Sequence, residues 1–331
     1  MTVEAAPTQS FANTGKFFDI LGLALKNAAL TILTLTLYRF WARTSMRRRV
    51  WSRVWVLGDA LEYTGSAMDL FRGFLISLPC FFLPAIFVSY IAPLLYDQST
   101  ASLLGIGFYL VAVPLVAAAR YWMRRYQLSR TRWRGIRMAL AGSAWTFAFA
   151  SAGWTVLQWL SLGWYTPVAR MNQARMLWQN ARFGDQPFEF VDDGEPAQKG
   201  LWWPYTLAWL GYSVGWFLAS AVVGFSVVAL TQSQIIATPD PNNTSAMGLY
   251  SLVIAATVFA VWLVLLQFFW APYNAAAMNR IASRISLDGA RFKLKAKTFS
   301  LLFITLAGWL LIILSLGLLS PVAGFLRVRA A

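Results

Sequence analysis

Long apolar stretches separated by short, strongly basic ones make up most of this chain. Seven stretches approach or exceed the roughly 20 apolar residues that a membrane-spanning helix needs, and they cover 17–38, 70–96, 101–119, 142–165, 204–231, 247–271 and 298–320. A soluble protein covers its core with charge, but only 12% of these 331 residues are charged while 58% are hydrophobic. The pattern predicts an all-α polytopic membrane protein.

Three of the apolar stretches end on related sequences. Residues 34–43 read TLTLYRFWAR, residues 161–170 read SLGWYTPVAR and residues 315–324 read SLGLLSPVAG. Such recurrence indicates internal repeats that arose by duplication of one unit. We therefore divide the chain into three membrane units, two complete and one truncated, which cover 1–137, 138–297 and 298–331.

The junctions between apolar stretches share an order of parts. A basic stretch comes first, and its Trp, Tyr and Met residues at helical spacing predict an amphipathic helix at the membrane surface. The alternative is that these stretches prolong the membrane helices into water. A glycine then leads a short run that alternates apolar and polar residues, which predicts a strand. These runs are GDALEYTGS (58–66), GIRMALAGS (135–143), GDQPFEF (184–190) and GARFKLKAK (289–297).

The basic residues bear on topology. They concentrate in loops 39–66, 120–137 and 280–297, and Lys and Arg near membrane ends resist translocation, so all three loops are expected on the cytoplasmic side. This favours four spanning segments plus three short re-entrant ones. The strands would then be cytoplasmic and could pair into a small sheet. The re-entrant segments are 17–38, 142–165 and 298–320.

Re-entrant segments need a break in the helix, and the expected positions are Gly22, Asn27, Gly153 and Gly308. The competing topology has seven spanning segments with inverted repeats, a plan common in secondary transporters. Length does not exclude it, because about 20 helical residues reach about 30 Å.

Charge and residue usage exclude several kinds of chemistry. The net charge of +15 could suggest a nucleic-acid partner, but the arginines lie at the ends of apolar segments beside Trp and Tyr, as in membrane anchoring. The chain has no histidine, and its one cysteine, Cys80, lies in an apolar run. His-based catalysis, His metal sites and a disulfide framework are therefore excluded. No cofactor or metal is predicted, since no motif for either occurs.

Polar groups inside the first apolar segment are the first candidate site. Asp19, Lys26 and Asn27 lie there, and Asp19 and Lys26 share a helix face. A charge in lipid costs about 2.5–3.5 kcal/mol on insertion scales and often marks an ion path. The alternative is that Asp19 lies at the membrane surface and Lys26 extends its ammonium group to it.

Arginines at two junctions are the second candidate site, as ligands for anionic lipid headgroups. They are Arg47, Arg48, Arg49, Arg53, Arg124, Arg125, Arg130 and Arg132. The acidic stretch 185–195 is interpreted as a solvated loop that faces neighbouring arginines, because its spacing fits no cation site.

Residues 11–75 resemble the YjgN-like bacterial inner-membrane proteins, a family of unknown function. The matching features are the Leu/Thr run 27–37, the Phe-Trp-Ala sequence 40–42, the Arg cluster that follows, and 58–65, which ends in Glu-Tyr-Thr-Gly. Thr36 stands where the pattern has Gly, although Gly163 and Gly317 keep it in the later copies. The resemblance implies a multi-pass protein of the bacterial inner membrane and brings no substrate or catalytic residue.

Three functions follow from these features. The first is a permease or channel-like transporter of a small or amphiphilic solute, which needs a water-lined cavity reaching Lys26 or Asn27. The alternative is a non-catalytic membrane scaffold or lipid-organising protein that binds anionic headgroups, either alone or as a homo-oligomer. The third, a lipid-modifying enzyme, has only Asp59, Glu62 and Asp69 as candidate acids near the first Arg cluster.

Overall fold

The computed structural model describes residues 11–15, 17–240 and 242–330, which are mostly helical. The described helices are α1 (Phe17–Leu33), α2 (Arg39–Trp51), α3 (Ala67–Leu95), α4 (Gln98–Ser129), α5 (Ala144–Leu160), α6 (Thr166–Gln179), α7 (Trp202–Ser213), α8 (Gly215–Gln232), α9 (Thr244–Ser283), α10 (Thr298–Leu314) and α11 (Ser320–Ala330). The described strands are β1 (Phe11–Asn13), β2 (Val54–Val56), β3 (Asp59–Ala60), β4 (Glu62–Tyr63), β5 (Thr131–Trp133), β6 (Ile136–Leu140), β7 (Ala181–Phe183), β8 (Gln186–Phe190), β9 (Ile285–Leu287) and β10 (Ala290–Arg291).

Each short apolar segment forms a helix that ends in a Schellman motif, after which a second helix begins. At the end of α5 the Gly163 amide donates to the Gln158 carbonyl at 2.7 Å. Leu162 and Gly163 take left-handed φ angles of 50° and 92° there, as the motif requires. The ends of α1 and α10 repeat this geometry at Leu35-Thr36 and Leu316-Gly317. The chain therefore turns within 34–38, 161–165 and 315–319.

The hydroxyl that opens each of these turns connects its two helices. The Ser161 hydroxyl accepts a hydrogen bond from the Tyr165 amide at 2.9 Å, just before α6. The Thr34 and Ser315 hydroxyls occupy the same place before α2 and α11. The three related sequences therefore specify one local structure, a Ser/Thr-Leu-Gly/Thr turn between two helices.

The expected helix breaks at Gly22, Asn27, Gly153 and Gly308 were wrong. All four residues lie inside uninterrupted helices. A single glycine costs a helix only about 1 kcal/mol, so it does not by itself end one. A Schellman motif ends a helix effectively because it satisfies the last carbonyl groups while redirecting the chain.

The strands form a meander that is interrupted by helices. The larger sheet has the order β10-β9-β8-β7-β6-β5-β4 and the smaller one β1-β2-β3, and all neighbours are antiparallel. A segment that leaves the sheet as helices therefore returns to pair with the strand that it followed. Leu140, before α5, pairs with Ala181, after α6. Tyr63, before α3, pairs with Thr131, after α4. The helical units that strands flank on both sides thus begin and end at the sheet.

Glycine determines the tight turns of this meander. The turn residues Arg134 and Gly135 have φ angles of 50° and 77°, which is the type I′ geometry that suits two-residue hairpins. Leu57-Gly58 and Asp288-Gly289 take the same left-handed conformation. Strands occur in all four predicted glycine-led runs, although in 289–297 only Ala290–Arg291 pairs.

Four of the described helices are long and apolar enough to cross a membrane: α3, α4, α8 and α9. The predicted single segment 204–231 was wrong, because Val214 divides it into α7 and α8. The division lies between Gly211 and Gly215, where α7 approaches α9 closely. A Cβ atom on Gly211 would stand 2.2 Å from the Phe269 ring, so this approach needs glycine.

The basic stretches divide into two kinds. Two of them, α2 and α6, are separate helices that follow a Schellman turn. The predicted separate helices at 121–134 and after 272 were wrong, because residues up to Ser129 continue α4 and residues up to Ser283 continue α9. Neither of those stretches has a turn motif before it, so the helix runs on.

The third helical hairpin packs against the first. Val322 and Phe325 of α11 are buried against Ile20 and Ala24 of α1 and Met46 of α2. The C-terminal unit therefore completes the packing of the N-terminal one. The division of the chain into units 1–137, 138–297 and 298–331, and their origin by duplication, stay predictions.

Candidate functional site

The polar groups predicted inside the first apolar segment do not form one site. The Asn27 side chain is only 4% exposed, and its Nδ2 donates to the Ser45 hydroxyl of α2 at 3.0 Å. The Lys26 side chain is exposed, so it faces away from that contact. The side chain of Asp19 lies outside the part of the chain that the structure describes. Asn27 therefore connects α1 to α2.

Two of the predicted headgroup ligands line an open cleft beside this contact. Leu23, Ser45, Arg48, Arg49 and Ser52 border a volume of about 470 Å³ where α1 and α2 approach the sheet. Arg48 donates from Nη2 to the Gly65 carbonyl at 2.9 Å. Arg49 is exposed and has no ion pair among the described residues. The cleft thus presents two exposed guanidinium groups to solvent, while the Ser45 hydroxyl is hydrogen-bonded to Asn27 and Ala42 and the Ser52 hydroxyl donates to the Arg49 carbonyl.

Other predicted ligands contact protein instead. Arg47 donates to the Tyr63 hydroxyl at 3.4 Å, and Arg125 donates to the carbonyls of Leu140 and Gly142 at 2.8 and 2.9 Å. These two arginines fasten helices to the sheet edge, so their charges are only partly available to a ligand.

The remaining four predicted ligands differ in their surroundings. Arg130 pairs with Asp69 at 3.1 Å. Arg132 is half-buried, and its Nε has no partner among the described residues. The Arg53 carbonyl accepts from the Thr14 amide at 3.0 Å. Arg124 has neither an ion pair nor a hydrogen bond in the described part of the chain, and it faces a different cavity.

The candidate carboxylates lie apart from one another. Asp59 pairs with Arg134 at 2.5 Å and Asp69 with Arg130, while Glu62 lies opposite Arg132 across β4 and β5. Asp59 and Asp69 therefore pair with different arginines, and Glu62 makes no ion pair among the described residues. Within the described ranges, no group of three Asp, Glu or Cys residues could hold a metal ion.

The most deeply buried charge was not predicted. Arg284, at the end of α9, is 1% exposed. Its Nη2 lies 2.5 Å from Asp193 Oδ1 and donates to the Glu195 carbonyl at 2.8 Å, while Nη1 donates to the Val191 carbonyl at 3.1 Å. The acidic stretch after β8 does face arginines, but one of them is enclosed. The available sequence signal was an arginine directly before a strand and an acidic run after the neighbouring strand.

Charge around this arginine lowers the pKa of nearby carboxyls. The Lys199 ammonium group donates to Glu195 and holds the pKa of that carboxyl below its usual range, with a further contribution from Arg280. Desolvation raises the pKa of Asp193, but the Glu195 amide, Arg284 and Arg280 together lower it further, so the net shift is downward. Both acids are therefore held in their charged form, in which Asp193 pairs with Arg284 and Glu195 pairs with Lys199 and Arg280.

These observations define a class of protein: a mostly helical protein with four helices able to cross a membrane and a sheet with many arginines at one end of them. The chain belongs to a bacterial family of unknown function, DUF898, whose family model matches residues 8–331. YjgN-like proteins are members of this family, so the resemblance seen in the sequence is confirmed. No curated protein and no solved structure matches the chain.

Proposed function

We propose that this protein is a lipid-organising scaffold of the bacterial inner membrane that binds anionic headgroups through the arginines at the sheet end of its helices. The observation that carries this proposal is the open cleft beside α1 and α2. There the exposed side chains of Arg48 and Arg49 face solvent together. A guanidinium group forms charge-assisted, often bidentate hydrogen bonds with phosphate.

The proposed topology has four spanning helices and three re-entrant hairpins, with the sheet in the cytoplasm. Its support is the pairing of Leu140 with Ala181 across the α5–α6 hairpin. The strand before α5 cannot pair with the strand after α6 if α5 crosses the membrane and α6 does not return across it. The seven-span alternative would separate these two residues by the bilayer. The positive-inside rule then favours the cytoplasmic side for the arginine-rich sheet.

The permease predicted from the sequence has less support. It needs a water-lined cavity that reaches Lys26 or Asn27 at mid-depth. Asn27 is instead buried against Ser45 and hydrogen-bonded, and Lys26 is exposed on the outside of α1. These side chains are better explained by hairpin packing and by extension of an ammonium group to the membrane surface.

Lipid-dependent thermal stability tests the function. A ligand that binds only the folded protein raises its Tm, and the stabilisation grows with the logarithm of the ligand concentration once that concentration exceeds Kd. For purified protein in neutral detergent, we expect phosphatidylglycerol to raise the Tm more than phosphatidylcholine. The double variant Arg48→Gln, Arg49→Gln should lose part of that difference. Arg291→Gln, an exposed arginine on β10, is the control and should keep it. Equal shifts with both lipids in the wild-type protein would contradict the proposal.

Cysteine accessibility tests the topology. In a Cys80→Ala background, a single cysteine at Lys293 or at Asn242, both exposed positions, is treated with a membrane-impermeant thiol reagent in intact spheroplasts. We expect Asn242→Cys to react at once and Lys293→Cys only after lysis. Reaction of Lys293→Cys in intact spheroplasts would overturn the cytoplasmic placement of the sheet.

A further inference from the structure

A second cavity lies between α3, α4, α5 and α6. It has a volume of about 550 Å³, within the range of about 300–1,000 Å³ that is usual for ligand sites. Its α4 wall is one helical stripe, which runs Tyr109, Val113, Val116, Arg120 and Arg124. We call this cavity the α4 groove. Its apolar end points away from the sheet and its cationic end toward it.

The length of the α4 groove matches one leaflet of a bilayer. At 1.5 Å per residue, Tyr109 and Arg124 lie about 22 Å apart along the helix axis. The hydrocarbon core is about 30 Å thick, so one leaflet contributes about 15 Å plus its headgroup layer. An apolar tail that starts at Arg120 would thus reach the bilayer centre near Tyr109.

The two arginines of the groove have no protein partner. Neither Arg120 nor Arg124 makes an ion pair or a hydrogen bond in the ranges that the structure describes, and both are exposed. They lie one turn apart on one helix face, where like charges repel each other. Arg125, next in sequence, is by contrast committed to the sheet edge. An anion between Arg120 and Arg124 would remove the repulsion, and Gln173 of α6 also lines that end.

A buried hydroxyl on the opposite wall also lacks a partner. Ser151 of α5 is 6% exposed and lines the groove, and its Oγ has no hydrogen-bond partner in the described part of the chain. It lies one helical turn after Phe147, and the ring centroids of Phe147 and of Tyr121 of α4 are 5.2 Å apart. Ser151 is therefore about one turn deeper than the two arginines. A buried hydroxyl without a hydrogen bond is destabilising, and a ligand acceptor at that depth would satisfy it.

We propose that the α4 groove holds one anionic phospholipid of the sheet-side leaflet. Its phosphate lies between Arg120 and Arg124, an ester carbonyl accepts from the Ser151 hydroxyl, and one acyl chain follows Val116 and Val113 towards the bilayer centre. The inference rests on the proposed function and makes it specific, because it assigns one stoichiometric site apart from the basic surface. It commits to a lipid because the cationic end continues into an apolar channel of leaflet length.

Native mass spectrometry of the full-length protein, released from detergent, tests the site. With phosphatidylglycerol added, we expect a dominant adduct of one lipid per chain, and at least tenfold less of it with phosphatidylcholine. The double variant Arg120→Gln, Arg124→Gln should lose the adduct by tenfold or more. Val113→Trp, which fills the apolar half and leaves both arginines, should reduce it similarly. Arg291→Gln, an exposed arginine that lines neither cavity, is the control and should retain it. Arg48→Gln, Arg49→Gln reports how much of the binding belongs to the cleft beside α1 and α2.

The outcomes separate the site from the general function. If the wild-type protein prefers phosphatidylglycerol, but only the Arg48, Arg49 variant lowers that preference, the groove proposal is overturned while the proposed function survives. If the wild-type protein shows no preference, both fail. Displacement of the adduct by millimolar inorganic phosphate, or indifference to Val113→Trp, would show a headgroup-only site and overturn the lipid assignment. The Tm of each variant without lipid must stay within a few degrees of wild type, and Ser151→Ala provides a second variant that preserves all charges.

Discussion

The two halves of the molecule reach the sheet in the same way but use their arginines differently. Arg130 ends α4 and Arg284 ends α9, each directly before a strand with a two-residue turn. Arg130 pairs with Asp69, and both side chains remain 43% and 33% exposed. Arg284 is enclosed by an acidic loop that has no counterpart in the first half. At the same backbone junction the arginine is thus exposed in the first half and buried in the second.

The contrast extends to the α4 groove. Counted back from the turn glycines Gly135 and Gly289, Arg120 and Arg124 correspond to Asn274 and Met278. Asn274 accepts a hydrogen bond from Arg170 of α6 at 2.8 Å, and Met278 packs against an apolar cluster that includes Leu301. In the second half these positions are satisfied by protein, whereas in the first half the charges are left for a ligand. The first half is therefore the better candidate for binding and the second for stability.

The largest expected effect comes from removing the enclosed arginine. Arg284→Gln leaves Asp193 without its main partner and breaks or weakens the hydrogen bonds to the carbonyls of Val191 and Glu195. We expect a loss of about 3 kcal/mol in the free energy of unfolding. Arg130→Gln should cost at most about 1 kcal/mol, because its pair is exposed. Unfolding in a mixed-micelle denaturant titration measures both. Equal losses would show that enclosure does not distinguish the two junctions.

A smaller effect is expected at the hairpin turns, which have Thr in the first half and Gly in the second at one of the positions with a left-handed φ. Thr36 holds a φ of 74° where Gly163 holds 92°, and a β-branched residue is strained there. Thr36→Gly should therefore stabilise the protein by about 1 kcal/mol. Gly163→Thr should destabilise it by about 1–2 kcal/mol.

The turn of the third hairpin supplies the control. A Cβ atom at Gly163 would lie 3.2 Å from the Tyr205 hydroxyl, whereas one at Gly317 would meet nothing within 4 Å. Gly317→Thr therefore reports the backbone strain alone, and the difference between the two variants reports the contact. A destabilised Thr36→Gly variant would contradict the strain argument.

The smallest effect concerns pH and again separates the halves. The pKa values of Asp193 and Glu195 are lowered by folding, so their contribution to stability is present above their unfolded values of about 3.9 and 4.3 and is lost as the pH falls through the lower folded values. We expect the Tm to fall below about pH 4, and Asp193→Asn to flatten that fall. Asp185→Asn, an exposed carboxylate without an ion pair in the described residues, should leave the pH profile unchanged. A profile that Asp193→Asn does not alter would remove the acidic loop from the comparison.

Much of the architecture could be predicted from local sequence. Apolar runs predict membrane helices because lipid offers the backbone no hydrogen-bond partner. Glycine at the tight turns predicts hairpins because left-handed φ angles are cheap for it. The family resemblance of residues 11–75 also depends on short stretches of sequence, among them the Ser/Thr-Leu-Gly/Thr turn and the arginine cluster, and the family model confirms it.

The errors have one physical cause. Helix breaks are predicted at Gly22, Gly153 and Gly308 because glycine is a weak helix former. The helices end instead where a hydroxyl and two backbone hydrogen bonds act together. The sequence predicts one polar site from Lys26 and Asn27, but the two side chains point in different directions from α1. In these cases the helix ends and the side-chain environments depend on neighbouring groups as well as on the propensity of the single residue.

The sequence by itself predicted a mostly helical chain with segments apolar enough to cross a membrane, three segments that end on related sequences, and arginines at the junctions. Those properties depend on residues within one or two turns of each other. Only the tertiary structure decided which arginines are enclosed, paired or free, because that depends on chain segments far apart in sequence. Arg284 is buried by residues about 90 positions earlier, and Arg120 and Arg124 are free because no acidic side chain of α3, α5 or α6 reaches them among the residues described.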